Sequence, residues 1–223
     1  MAESVRPVTV SEPRLAAALA DVAHESLQPG DEWQNERVES DELVDVDADR
    51  VEITGCALRG VRFTGSRLEH LRLVDVLLVD CELSGAIVTE AMLRRVEFRN
   101  CRMSGLVISD TKLHDVRFHE CKLDDANFRF VKADRVELGA CSLVGADFTE
   151  STFKASVFLG CDLRRVMLTK ASMRGTRLAG SNVEELIGAG ALRGVIIGTD
   201  QVLPLALAVF ADFGIVVRDD DPV

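Results

Sequence analysis

The sequence predicts an all-β solenoid wound as a four-sided coil. Three observations predict it: an apolar residue at every fifth position, a smaller residue two places before each of them, and cysteines spaced by twenty. Repeats are sought first because one unit copied along the chain decides the whole fold. From Ile53 the fifth residues run Leu58, Phe63, Leu68, Leu73, Leu78, Leu83, Val88, Leu93, Phe98, Met103, Ile108, Leu113, Phe118, Leu123 and Phe128, then from Ala133 to Val183 with no slip of frame. Two places earlier stand Val51, Cys56, Val61, Ser66, Leu71, Val76 and Cys81, and so on to Ser181. Two inward positions in five match neither a 3.6-residue helix nor a sustained period-two strand; they match a short extended side followed by a corner. Gly55, Gly60, Asp75, Asp80 and Asp110, each two places after a large residue, are turn formers that suit such a corner.

A five-residue side does not state how many sides close one coil, but the cysteines do. Cys81, Cys101, Cys121, Cys141 and Cys161 recur every twenty residues, so four sides per coil place them in one column. Gly65, Gly85, Gly105 and Gly145 form a second column with the same spacing. Segments such as Ala146-Asp147-Phe148, Ala126-Asn127-Phe128, Cys121-Lys122-Leu123 and Cys161-Asp162-Leu163 resemble the pentapeptide-repeat family, whose unit is a small residue, Asp or Asn, then Leu or Phe, then two variable residues. The resemblance covers roughly residues 45 to 185 and implies a right-handed quadrilateral β-helix. At a strand spacing of about 4.8 Å, roughly seven coils make a rod about 35 Å long. Three residues of every repeat then face solvent, and function must lie on that wall or at its ends.

Three segments are expected: an N-terminal extension over 1–44, the solenoid over 45–198 and a C-terminal segment over 199–223. A solenoid end exposes an open apolar section, so both ends need caps. At the first, Ser11 suits a helix cap, Pro13 its first turn, and Leu15, Leu19, Val22, Ala23 and Leu27 one apolar face, which predicts a helix over about 12–27 ended by Pro29-Gly30-Asp31. At the second, Asp200 starts a helix over about 201–212 in which Leu203, Leu205, Leu207, Val209, Phe210 and Phe213 leave almost no polar face. Ile215-Val216-Val217 reads as a short strand. The C-terminal helix is read either as a lid or as a two-fold dimer contact, and the family resemblance implies the homodimer.

The net charge of −11 suggests a negative surface, but its distribution says otherwise. Residues 1–50 carry thirteen acidic and four basic side chains, whereas residues 51–183 carry seventeen acidic and twenty basic. The repeats are slightly basic and the acidity sits at the ends. On the side led by Leu73, Leu93 and Leu113, the outward positions include Arg72, Arg94, Arg95, Lys112, Lys132, Arg135, Lys154 and Arg174, interrupted by Asp75, Asp115 and Asp134. This stripe is the candidate partner surface. A second side exposes Ile87, Val107, Met167 and Ile187 beside Phe130.

No catalytic centre, cofactor or metal is expected. All six cysteines occupy inward small positions and none has metal-site spacing. His114 and His119 point outward from adjacent sides, and no nucleophile-elbow, zinc-protease or phosphate-loop pattern occurs. With no membrane-length apolar run and no signal-peptide pattern, a cytoplasmic location is expected. The resemblance implies a macromolecule-binding protein, and in its quinolone-resistance members a rod shaped like duplex DNA that engages DNA gyrase. The stripe and the acidic extension offer the alternative of a protein-interaction scaffold. Direct nucleic-acid binding is the weakest reading, because aromatic stacking residues are few.

Overall fold

The computed structural model describes residues 9–216 and 218. The backbone winds as a right-handed quadrilateral β-solenoid of about seven turns. Its strands are β1 (Ala20–Val22), β2 (Glu32–Gln34), β3 (Glu36–Glu39), β4 (Glu52–Thr54), β5 (Ala57–Arg59), β6 (Arg72–Val79), β7 (Met92–Arg99), β8 (Lys112–His119), β9 (Lys132–Gly139), β10 (Thr152–Lys154) and β11 (Val157–Leu159). Every pairing is parallel and, from β2 onward, joins residues twenty apart, as in Arg72↔Met92↔Lys112↔Lys132. The four-sided coil read from the cysteines is therefore the observed register.

Corners at residues numbered in fives carry positive φ, near 52–56° at Asp75, Asp80, Asp110 and Asp115. Asp and Asn tolerate that conformation better than most side chains, which is why the turn formers sit there. Inside, the large residues stack coil on coil. Phe98 lies over Phe118 at 4.9 Å and Phe128 over Phe148 at 4.8 Å, near-parallel in both pairs. Burying one such ring contributes about 1.5–3 kcal/mol. The small column meets the backbone instead. The Cys81, Cys101, Cys121, Cys141 and Cys161 thiols and the Ser181 hydroxyl each donate to the carbonyl twenty-three residues earlier, from Leu58 to Phe158.

The N-terminal end corrects the expectation. No helix forms over 12–27; the chain is extended and enters the coil as β1, paired with β3. The cause lies in its amides. Those of Ser11 and Arg14 are bound by carboxylates of the solenoid wall, and the residue before a proline is biased away from helix, which disfavours it at Glu12. The cap is a shortened first turn: Ala20 pairs with Glu36, only sixteen residues on, and Leu27 and Trp33 close the core. The coil thus begins well before residue 45.

At the other end the frame breaks at Gly188, which has φ 83° and where a Cβ would lie 2.7 Å from the Thr169 nitrogen. After 3-10 turns at Ala189–Leu192 and Thr199–Gln201, α1 spans Val202–Asp212 as expected. Buried Gln201 donates from Nε2 to the Leu178 and Ser181 carbonyls at 2.5 and 2.6 Å, satisfying acceptors that no further coil covers. Ile215 and Val216 form no strand, and Val217 lies outside the described residues.

Candidate binding surfaces

The basic stripe divides once its rows are placed. Lys112 and Lys132 are adjacent rungs of one ladder, and Arg94, Lys154 and Arg174 belong to the neighbouring outward row; all five are exposed and form no ion pair among the described residues. Arg72 approaches Glu52 at 3.8 Å. Arg95 and Arg135 are drawn into the corner instead. Arg95 clasps Asp75 through Nε and Nη2 at 2.6 and 2.5 Å, and Arg135 clasps Asp115 at 2.7 and 2.9 Å while also meeting Asp134 at 3.0 Å. The Arg135 guanidinium above all, helped by the Ser11 amide, lowers the Asp115 carboxyl to about 2 despite its burial. Arg95 likewise holds Asp75 below the ordinary carboxylate value. Two of the eight cations are thus neutralised within the wall.

The same corner carries a feature that local sequence reading missed. Residues 10–14 lie along the outside of the coil, with the Ser11 amide donating to Asp115 Oδ1 at 3.2 Å and the Arg14 amide to Asp75 Oδ1 at 2.9 Å. Asp75 and Asp115 are two rungs apart, about 9.6 Å, and three extended residues span about 10 Å. The match lets one straight segment reach both. Arg117 donates to the Val10 carbonyl and faces Glu12 at 3.9 Å, with Glu97 and Glu137 on its other sides at 3.6 and 3.5 Å. Val10 is buried, at 5% exposure, yet does not belong to the core cluster. The signal was present: twenty-residue arithmetic puts Asp75, Arg95, Asp115 and Arg135 in one column, as it does the cysteines.

The C-terminal helix α1 buries one face and presents another. Leu205 is buried and Val209 half-buried against the core, whereas Leu203, Leu207, Phe210 and Phe213 are exposed, Leu203 and Phe213 by 71% and 77%. Between α1 and the last coil runs a cleft of about 550 Å³, floored by Leu186, Ile187, Leu207 and Ala208 and rimmed by Glu184, Glu185 and Asp212. The second apolar side is less continuous than expected. Its ladder reads Ile87, Val107, Asn127, Asp147, Met167 and Ile187, so two polar rungs split the patch.

The cysteines are all free and buried. Neighbouring thiols and burial push Cys101, Cys141 and Cys161 upward, Cys141 to about 12, so these members of the column stay neutral. His114 meets Asp134 at 3.1 Å and His119 meets Glu120 at 3.8 Å, on adjacent sides of one coil. Among the described residues no group of three or more His, Cys, Asp or Glu is placed to hold a metal, and no helix is long and apolar enough to cross a membrane.

With this geometry in view, comparison with known proteins gives a consistent result. The family model of the pentapeptide repeat region matches residues 51–128 and 111–186. No curated protein sequence matches the chain. Among solved structures, a trypsin-treated variant of QnrB1, a plasmid-mediated fluoroquinolone resistance protein, aligns with TM-score 0.61 and 22% identity over 90% of this chain and 98% of its own. Full-length QnrB1 aligns with TM-score 0.55 and 19% identity over 85% and 99% of the two chains. At such identities the likeness speaks for the fold, and together with the unbroken repeat and the matched model it leads to one statement: the chain belongs to the pentapeptide-repeat family.

Proposed function

We propose that this protein is a non-enzymatic binding rod that associates in two-fold fashion through α1 and engages DNA gyrase by its duplex-like shape, with protection from quinolones as the outcome. The observation that carries the reading is the combination of a loop-free coil with a terminal helix whose Leu203, Leu207, Phe210 and Phe213 stand open to solvent. An apolar face of that kind is suited to a second copy of itself. QnrB1, named as a plasmid-mediated fluoroquinolone resistance protein, has a similar fold. Two rods joined end to end would carry the acidic Glu184, Glu185 and Asp212 toward their centre, where a saddle-shaped basic partner would sit.

A second reading, a protein-interaction scaffold, is favoured by the charge of the wall. A duplex mimic would carry rows of carboxylates, whereas Lys112 and Lys132 stand on adjacent rungs and Asp75 and Asp115 are consumed by arginines. The deciding experiment measures gyrase supercoiling and its rescue from a quinolone by purified protein, with duplex binding measured alongside. Rescue without DNA binding supports the gyrase reading. No effect on gyrase at micromolar protein sinks it and leaves the scaffold, while salt-sensitive DNA binding would transfer the role to the stripe. The dimer is tested separately: Leu207→Asp is expected to halve the mass in solution without lowering the melting temperature of the coil. A wild-type protein already monomeric at 100 µM would remove α1 from that role.

A further inference from the structure

Residues 10–14 cross the wall as an extended peptide would cross a receptor. Val10 is buried at 5% exposure outside the core, the Ser11 and Arg14 amides are bound by Asp115 and Asp75, the Val10 carbonyl is bound by Arg117, and Glu12 faces the same arginine. Counted from Ser11, the backbone positions whose amides are used are the first and fourth, and Pro13 is the third. Pro13, which has no amide to offer, lies between them and holds the residue before it extended. The receiving groups are fixed beforehand. Asp75 and Asp115 are clasped by Arg95 and Arg135 one rung away, and Arg117 is held between Glu97 and Glu137. A site whose polar groups are already ordered binds without reorganising, the condition under which a short segment is recognised.

We infer that this corner is a peptide-docking groove whose resident occupant is the chain's own residues 10–14, and that it takes in exchange an extended partner segment of the same chemistry. That chemistry is an apolar side chain, a carboxylate two residues later, then proline. The pocket filled by Val10 selects the first, Arg117 selects the second, and the unused third amide position tolerates the proline. The resident segment is a tethered competitor, joined to β1 by five residues, so its effective concentration is on the order of millimolar. An outside segment with a dissociation constant near 0.1 mM would then be weakened about tenfold by it. The groove uses none of the five open stripe cations and no residue of α1, so it adds a third surface to the rod.

The test uses the full chain and a fluorescent peptide copying residues 6–16. Val10→Asp in the protein places a charge in the pocket and releases the resident segment, and Ser11→Pro releases it by removing an amide donor. Neither position belongs to the core, and circular dichroism checks that each variant keeps the coil. The peptide is expected to bind either variant about tenfold more tightly than it binds the wild-type protein, and a peptide carrying its own Val10→Asp change is expected to lose that binding. Failure of the wild-type peptide to bind both folded variants at 1 mM would overturn the groove. Equal binding of a scrambled peptide would overturn its selectivity and the proposal with it.

Discussion

The two ends of the rod solve one problem in opposite ways. Each must cover an open apolar section, yet the first end is closed by more coil and the second by a helix. At the N-terminal end β1 adds a short rung, Leu27 and Trp33 fill the section, and His24 stacks on Trp33 at 3.9 Å. The chain before it turns back along the wall and is pinned by carboxylates. At the C-terminal end Gln201 satisfies the last carbonyls and Leu205 and Ala208 seat the helix, but Leu203, Leu207, Phe210 and Phe213 stay outside. The difference teaches where each end spends its apolar residues. The first end puts them into its own core, and the second holds them available for another surface.

That comparison can be broken first by stability. Trp33→Ala removes the largest plug of the closed end and is expected to cost about 3–5 kcal/mol in chemical denaturation, whereas Leu205→Ala under α1 should cost about 2 kcal/mol. Equal losses would mean that the helix is as integral as the first turn. A smaller effect concerns acid. The carboxyl of Asp115 falls from the ordinary 3.8 to about 2, so its contribution is complete above about pH 3.8 and lost as the pH falls through about 2. The amide resonance of Ser11, which Asp115 binds, is therefore expected to keep its docked position from pH 7 to pH 4 and to move toward that of an unfolded chain near pH 2. Release already above pH 4 would show that the Asp115 carboxylate does not control the docking. The smallest effect belongs to His70, which Asp49 at 2.6 Å raises above its usual 6.5. Its contribution is present below about pH 6.5 and lost as the pH rises through the raised value, so His70→Gln should narrow slightly the difference in urea midpoint between pH 6 and pH 8.

How much of this was legible in the sequence follows from the distance over which each part is determined. The interior was legible because a five-residue side fixes what Leu93, Phe118 and Cys121 face, whatever lies elsewhere in the chain. The helix α1 was legible for the same local reason. The N-terminal segment was not. Ser11, Pro13, Leu15 and Leu19 fit a helix start as well as they fit an extended run, and what decides between them is Asp115, 104 residues away. The pairing of Arg95 with Asp75 and of Arg135 with Asp115 lay within reach of the same arithmetic that aligned the cysteines. Reading the outward rows by side instead of by column counted Arg95 and Arg135 among the open cations.

The docking of Ser11 and Arg14 also works as a caliper. A solenoid tolerates gain or loss of whole turns in principle, since twenty added residues restore every column and lengthen the rod by one spacing of about 4.8 Å. Between Asp75 and Asp115 such a change would not go unnoticed. One extra turn would set the two carboxylates about 14 Å apart, beyond the reach of three residues at about 3.3 Å each, and one fewer would leave the segment slack. The segment therefore measures the number of turns beneath it, and a repeat architecture that is otherwise indifferent to its own length acquires a fixed gauge over this stretch.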